Sequence, residues 1–419
     1  MKKRIYMDHA ATTYLDHRVK RAMEDFWMKD FGNPSSIYSE GRKAKKALES
    51  ARTEIAKIIN VRPDEIIFTN GGTESDNLAI LGVVAAVGRA TSDGRRTSDK
   101  GHIITTKIEH HAVLNPCKVL EKKGWKVTYL DMGQEGIVKP EDVEKALQPD
   151  TILVSIMYAN NEIGTIQPIA EIGKILKNHR AVFHTDACQA SGYLDLNVSK
   201  LGVDLMTVNG SKIYGPKGIG LLYVRRPARN ASPARSRYSV SGGHSDAGGG
   251  IKLAPLIYGG EQERGLRPGT ENVPSIIGLA EALKIAQKEK SKESKRLTAL
   301  RDYFVRRLAK EIPNTFLNGH PKKRLPNNIN VSILGAEGEA IVLYLDDYGI
   351  ACSTGSACTS VSLEPSHVIM ALGKSYDYSH GSIRFSLGRR NTKKDIDYVM
   401  KILPKVVEKL RKISATWQK

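Results

Sequence analysis

Cysteine and aromatic residues are scarce in this chain. Its 419 residues include only Cys117, Cys188, Cys352 and Cys358, too few for a disulfide-stapled fold, which favours a reducing compartment. Cys352 and Cys358 lie near each other, but no second Cys/His pair at zinc spacing accompanies them, so we predict no metal site. Aromatic residues make up 6% of the chain, which disfavours base-stacking surfaces for single-stranded nucleic acid.

Long apolar runs are also missing. No run is long enough to span a bilayer, and the charged N-terminus lacks the apolar core of a signal peptide. We therefore expect a cytoplasmic protein with no membrane contact. The length and a hydrophobic content of 40% are sufficient for a large core, divided between two domains.

Acidic residues are outnumbered by basic ones, and the formal net charge is +19. Such a charge favours acidic partners or anionic ligands, although it says little about the fold. The basic residues are spread along the chain without a nucleic-acid reader motif, so direct nucleic-acid binding is not expected.

Strand-like apolar segments alternate with helix-like segments from about residue 66 to residue 185. Unbroken apolar strands separated by helices are typical of an α/β fold with a mostly parallel sheet covered on both faces. Ligands of such sheets bind beyond the carboxyl ends of the strands. Polar residues stand at these positions and are expected to share one site: Thr73, His110, Asn161, Asp186 and Lys212.

Composition and element order predict two domains. The large domain spans 15–262 and includes a flexible, basic, glycine-rich insertion at about 225–258. Residues 1–14 and 263–419 form a smaller α+β domain, which carries a loop of small residues and cysteine at about 351–362.

Lys212 lies on a glycine-rich connection between two apolar strands. A lysine in that place can form a Schiff base with a carbonyl compound, and our working hypothesis is that it carries pyridoxal phosphate. A solvated turn lysine is the alternative. A phosphate-binding P-loop is excluded, because Gly215 is followed by Pro216 and not by the lysine that this motif requires.

Other residues match the remaining needs of this cofactor, and each has a plainer alternative. The turn and helix start at Gly72 and Thr73 can bind phosphate, or Thr73 is an ordinary helix cap. Asp186 can keep the ring nitrogen protonated, or it caps a local turn. Gln189 can reach the ring hydroxyl, or it is a surface amide. His110 can stack on the ring or move protons, or it is a helix-start histidine.

Two residues of the C-terminal part indicate further chemistry. Cys358 ends a loop of small residues, where a thiol can act as nucleophile or sulfur carrier; a buried thiol that packs a turn is the alternative. Arg384 can bind a substrate carboxylate in a bidentate pair, or it forms an interdomain ion pair.

Motifs over nearly the whole chain resemble the cysteine desulfurases of the NifS/IscS type, in the aminotransferase class V group. The matching segments are Met7–Thr13, Phe31–Ser36, Thr73–Asn77, Glu109–His110, Asn160–Gly164, Asp186–Gln189, Lys212–Gly218, Arg267–Thr270, Ser353–Ser360 and Ser382–Gly388.

The resemblance implies a homodimer with the fold of type I pyridoxal phosphate enzymes, a large sheet domain plus a smaller α+β domain. It implies that Lys212 holds the cofactor and transfers protons, and that His110 stacks on the ring. The other implied cofactor contacts are Gly72, Thr73 and Asn209 for the phosphate, Thr270 from the partner subunit, and Asn161, Asp186 and Gln189 for the ring.

The resemblance also implies the reaction. Asn33 and Arg384 bind the carboxylate of L-cysteine, and Cys358 takes its sulfur as a persulfide while L-alanine leaves. The acceptor of that sulfur is an iron–sulfur scaffold, a carrier or a tRNA-thiolation enzyme. A selenocysteine lyase or another class V enzyme is an alternative, as is a non-catalytic sulfur-relay docking protein.

Two residues depart from the family pattern. Ser211 replaces a histidine that often precedes the cofactor lysine, and Asn209 stands where serine is frequent. Both changes alter the expected phosphate contacts, and Ser211 can replace one hydrogen-bond donor.

Overall fold

The computed structural model describes residues 4–87, 100–226, 250–355, 364–414 and 417. Most of the predicted insertion at 225–258 lies outside these ranges, and so does Cys358. The strands are β1 (Ile5–Tyr6), β2 (Ile66–Thr69), β3 (His102–Thr106), β4 (Lys126–Leu130), β5 (Thr151–Ser155), β6 (Val182–Asp186), β7 (Leu205–Asn209), β8 (Gly220–Val224), β9 (Thr315–Leu317), β10 (Asn328–Ile333), β11 (Ile350–Ala351) and β12 (Ser382–Ser386).

The α-helices follow the predicted segments closely. They are α1 (His17–Met28), α2 (Ser39–Ile59), α3 (Gly72–Val87), α4 (His111–Lys122), α5 (Pro140–Ala146), α6 (Ile169–Leu176), α7 (Val198–Leu201), α8 (Val273–Glu311), α9 (Gly338–Asp347), α10 (His367–Ala371), α11 (Tyr376–His380) and α12 (Lys393–Ile413). Asp16 caps α1 by accepting a hydrogen bond from the backbone N–H of Arg18 at 2.9 Å.

The large sheet has the strand order β2-β8-β7-β6-β5-β3-β4. All neighbours are parallel except β8, which is antiparallel to both β2 and β7. A parallel return requires a crossover of a dozen or more residues, and the connection at 210–219 contains only a short 3-10 turn. The mostly parallel α/β sheet is confirmed, and β8 reverses direction because its connection is short.

A second layer of strands is built from the later part of the chain. The order β12-β10-β9 is antiparallel, and β1 pairs in parallel with β11. The long helix α8 packs on both units: Leu279 and Leu283 belong to the core of the large sheet, whereas Phe304 and Leu308 pack with the second sheet. The division of the chain near residue 262 stays a prediction.

Within the described ranges, no helix is both long enough and apolar enough to cross a membrane.

Candidate functional site

A cavity of about 270 Å³ lies where the central strands end. Strands β6 and β7 bring Asp186 and Asn209 to it, and the residues that follow β2, β3 and β5 complete its wall. The predicted site residues that line this cavity are Gly72, Thr73, His110, Asn161, Asp186, Gln189, Asn209, Lys212 and Arg384. Their convergence confirms the expectation that polar residues after neighbouring strands lie together.

Lys212 ends the 3-10 turn that follows β7. Its ammonium group donates to the carbonyl oxygens of Ala11 at 2.5 Å and Ala10 at 3.0 Å. Both alanines line the cavity. A solvated turn lysine would point away from the protein, whereas this amine lies at the cavity wall.

The start of α3 forms a close-packed cradle. Gly71 has φ of +130°, a backbone conformation that favours glycine. A methyl group on Gly72 would lie 2.8 Å from Cys188 Sγ and 3.4 Å from Asn209 Nδ2, so glycine is required there. The unpaired N–H groups and the dipole at a helix start attract an anion, and phosphate is the expected one.

The two departures from the family pattern are bonded to each other. The backbone N–H and the hydroxyl of Ser211 both donate to Asn209 Oδ1 at 3.2 Å. Ser211 is not among the residues that line the cavity, whereas Asn209 is. Ser211 therefore orients Asn209, and the predicted contact of Ser211 with the cofactor stays a prediction.

A second carboxyl group lies close to Asp186. Asp186 accepts a hydrogen bond from the N–H of Cys188 at 2.8 Å. Asp76 of α3 is 1% exposed, and its Oδ1 has no hydrogen-bond partner among the described residues. Burial, reinforced by the charge of Asp186, raises the pKa of Asp76 well above its ordinary value.

His110 caps the start of α4 and lies in the cavity. Its Nδ1 accepts a hydrogen bond from the N–H of Ala112 at 3.1 Å, so the neutral ring carries its proton on Nε2. Burial lowers the pKa of His110, which favours the neutral ring. The plainer alternative for this residue, a helix-start histidine, thus describes its local contact while its ring lines the cavity.

Arg384 lines the cavity and forms an ion pair with Asp8, which belongs to the same predicted small domain, so the pair is not the interdomain contact of the plainer alternative, and binding of a substrate carboxylate stays a prediction. Its guanidinium lines the cavity, although the side chain is only 2% exposed. It donates to Asp8 Oδ1 at 2.9 Å and to the carbonyl of Asn161 at 3.0 Å. The ion pair joins β12 to the segment after β1 and fixes the cation at the cavity wall.

Some predicted residues do not reach the cavity of this single chain. Asn33 and Thr270 are exposed and are not among its lining residues. Asn33 Oδ1 accepts a hydrogen bond from the N–H of Ser35 at 2.9 Å. Gln189, by contrast, lines the cavity and donates to the carbonyl of Ala10 at 2.9 Å. The role of Cys358 stays a prediction because it lies outside the described residues.

Several cavity residues were not predicted from the sequence: Asp76, His111, Met157, Glu162, Cys188 and His367. The rings of His111 and His367 are 4.8 Å apart, and His367 Nε2 donates to the carbonyl of Glu109 at 3.0 Å. Asp76 and Glu162 stand inside motifs that the analysis did single out. Spacing along the chain does not show which side chain of a motif points into a cavity.

Comparisons with known proteins agree on one family. The sequence model of the family Aminotransferase class-V matches residues 5–399. The chain is 51% identical to the cysteine desulfurase IscS of Dictyoglomus turgidum, over 99% of this chain and 97% of that protein. It is 47% identical to the cysteine desulfurase IscS of Methanosarcina thermophila, over 98% of this chain and 94% of that protein.

Solved structures show the same mixed α/β architecture. A NifS-like protein superposes with a TM-score of 0.84 at 36% identity, over 97% of this chain and 100% of that one. The structure described as SspA in complex with cysteine superposes with a TM-score of 0.74 at 35% identity, over 92% of this chain and 99% of that one.

Proposed function

Because the chain belongs to the aminotransferase class-V family, we propose that it is a pyridoxal phosphate-dependent cysteine desulfurase. L-Cysteine and the thiol of Cys358 give L-alanine and a persulfide on Cys358. The carbon–sulfur bond breaks, its electrons stay on carbon, which gains a proton, and a sulfur–sulfur bond forms. The observation that supports this most is the amine of Lys212 at the wall of one cavity with His110, Asp186 and Arg384.

The described residues fit this cofactor. Lys212 would hold the aldehyde carbon, and the start of α3 at Gly72 and Thr73 would take the phosphate together with Asn209. Asp186 would face the ring nitrogen, and Asp76 Oδ1, which has no hydrogen-bond partner in the described part of the chain and lies 3.6 Å from His184 Nε2, is a second polar atom of the same buried region. Asn161 and Gln189 lie on the same cavity wall for the ring substituents. The bound cofactor supplies an electron sink that labilises bonds of the substrate.

The chain's own residues bind the substrate and move its protons. Arg384 binds the substrate carboxylate, because a guanidinium and a carboxylate form paired, charge-assisted hydrogen bonds. Neutral His110 presents the proton of Nε2 to the cavity and can exchange it with the substrate. The amine of Lys212 lies at the same cavity wall and would carry a proton within that space.

A homodimer explains why two expected site residues are exposed. Large apolar side chains are exposed near them in the sequence, among them Met28 at 81% and Ile37 at 89%, together with Ile257 and Tyr258. Exposed apolar side chains of this kind would be removed from water in a subunit interface. A partner subunit covers them, supplies Thr270 to the phosphate and brings Asn33 to the substrate. Light scattering of the purified protein tests this assembly.

The persulfide sulfur passes to an acceptor protein in the cytoplasm, either an iron–sulfur scaffold or a tRNA-thiolation enzyme. The relatives named IscS support the desulfurase activity, and the formal charge of +19 favours an acceptor with an acidic surface. Supplying each acceptor class to the persulfidated protein and measuring sulfur transfer separates them.

Replacing Lys212 tests the proposed function. Lys212→Ala should lose the visible absorbance of bound pyridoxal phosphate and the release of alanine. Lys217→Ala is the matched control, since this exposed lysine lies on the same connection. A Lys212→Ala protein that keeps both signals overturns the proposal. Turnover of selenocysteine or cysteine sulfinate in preference to cysteine would point instead to a lyase of another class V type.

A further inference from the structure

Glu162 is a buried carboxyl group at the cavity wall that the proposed reaction leaves without a role. Its side chain lines the cavity, and the residue is only 2% exposed. Its backbone is fixed on both sides: the N–H donates to Asn160 Oδ1 at 2.8 Å, and the carbonyl accepts from Asn328 Nδ2 at 2.9 Å. Burying a carboxyl group costs free energy of desolvation, so a carboxyl group held in this position requires a hydrogen-bonding partner.

The partners of this carboxyl group flank the segment that carries Cys358. Ser366 donates its hydroxyl proton to Glu162 Oε2 at 2.5 Å. A methyl group on Gly355 would lie 2.5 Å from the same oxygen, so the backbone of Gly355 packs directly against it. Gly355 is the last described residue before 356–363, and Ser366 follows that segment closely.

The same turn also holds the residue expected to bind substrate. Arg384 donates to the carbonyl of Asn161, the neighbour of Glu162, at 3.0 Å, and to the carbonyl of Gly355 at 3.4 Å. The turn at Asn161 and Glu162 therefore contacts both flanks of 356–363 and also the guanidinium expected to receive the substrate carboxylate.

We propose that Glu162 is a positioning residue for sulfur transfer: its carboxyl group accepts the hydrogen bond of Ser366 and packs against Gly355, and so fixes both flanks of the segment bearing Cys358 relative to Arg384. This inference rests on the proposed desulfurase function. Displacing a reacting group by about 1 Å can cost on the order of a hundredfold in rate. Glu162 thus acts on the transfer step and not on the binding of substrate or cofactor.

The test separates sulfur transfer from binding. Glu162→Ala should lower persulfide formation at Cys358 and alanine release at least about tenfold, while the KM for cysteine and the cofactor spectrum change less than about threefold. Glu162→Gln keeps an acceptor for Ser366 and should recover most of the rate. Ser366→Ala should reproduce part of the defect and add little in the double variant, because the two side chains act as one unit.

Glu65→Gln is the matched control for a buried carboxylate, since Glu65 accepts from the N–H groups of Arg62 and Arg226 at 2.8 Å away from the cavity. Its rates should stay those of the unmodified protein. A Glu162→Ala protein that transfers sulfur normally, or one that loses cofactor binding and turnover in equal measure, overturns the inference.

Amide hydrogen exchange gives a readout that does not depend on the reaction. In Glu162→Ala, exchange should increase at 353–355 and 366–370 and remain unchanged in β6. Unchanged exchange at both flanks contradicts the inference even if turnover falls. Faster exchange at the flanks in a protein whose unmodified form makes no persulfide would instead overturn the desulfurase function and leave the anchoring role of Glu162 standing.

Discussion

Asp8 and Arg384 form an ion pair of 2.9 Å although they stand 376 positions apart in the chain. Asp8 follows β1, and Arg384 lies in the middle of β12, where its side chain is 2% exposed. The cation expected to bind the substrate carboxylate thus already has a counterion. The pair holds the guanidinium in place while the cavity is without substrate, and a second carboxylate must share it.

Replacing Asp8 should destabilise the protein. Asp8→Asn leaves a buried guanidinium without its charged partner, which we expect to cost about 1–3 kcal/mol of unfolding free energy. Urea unfolding of the protein without substrate measures this cost. Asp346→Asn is the control, since Asp346 pairs with Arg4 on the exposed surface, where ion pairs contribute little. Equal losses of unfolding free energy in the two variants would show that the buried ion pair stabilises the protein no more than the exposed one.

Enlarging Gly72 should weaken cofactor binding. The added methyl group of Gly72→Ala meets Cys188 Sγ at 2.8 Å, which forces the start of α3 away from its place. We expect the Kd for pyridoxal phosphate, measured by absorbance titration of the apoprotein, to rise at least about tenfold, or about 1.4 kcal/mol. Gly133→Ala should change nothing, because its methyl group would have no neighbour within 4 Å.

The Gly72 effect has an internal check. Cys188→Ala removes the sulfur atom that the new methyl group meets, so the double variant should recover part of the lost affinity. An affinity that stays at the level of the single variant would mean that the sulfur contact is not the cause.

His184 should make the protein less stable in mild acid. It is fully buried in β6, bonded to Ser155 Oγ at 2.8 Å and Thr207 Oγ1 at 3.1 Å, and burial lowers its pKa from 6.5 to about 4. At a pH between these two values, the histidine is protonated in the unfolded chain and neutral in the folded protein. The unfolding free energy therefore decreases as the pH is lowered, and protonation of this residue accounts for about 2 kcal/mol of that decrease at about pH 5.

The contribution of His184 is isolated by comparison with a variant that does not titrate. His184→Gln keeps an amide for hydrogen bonding, so its unfolding free energy should fall by less between about pH 7 and about pH 5. Denaturant curves at the two pH values measure both slopes. An equal change of unfolding free energy with pH in the two proteins would show that His184 is not the group responsible.

The described cysteines should be poor nucleophiles. Cys117, Cys188 and Cys352 are buried, and burial raises the pKa of all three thiols, that of Cys117 to about 12. A thiol that stays protonated reacts slowly. After addition of cysteine, mass spectrometry should find the persulfide on Cys358, and Cys352→Ser should turn over as the unmodified protein does. A comparable persulfide on Cys352 would refute this.

Local sequence patterns are sufficient to predict the regular elements and the kind of site. Apolar periodicity predicts β2 to β7 and the helices between them, because each element is set by neighbours a few residues away. The strand–turn–helix pattern also predicts that Thr73, His110, Asn161, Asp186 and Lys212 share one edge of a sheet, since parallel strands end together. Residue type then indicates the chemistry that these side chains suit.

The packing of distant segments determines which of the expected side chains meet and which further side chains join them. Asp8 reaches Arg384, and Glu162 reaches Ser366, through contacts between distant parts of the chain. No local pattern encodes such contacts, because they arise when separately formed elements pack into one core. For the same reason Asp76 and His111 were missed, whereas Asn33 and Thr270 remain outside the cavity of a single chain.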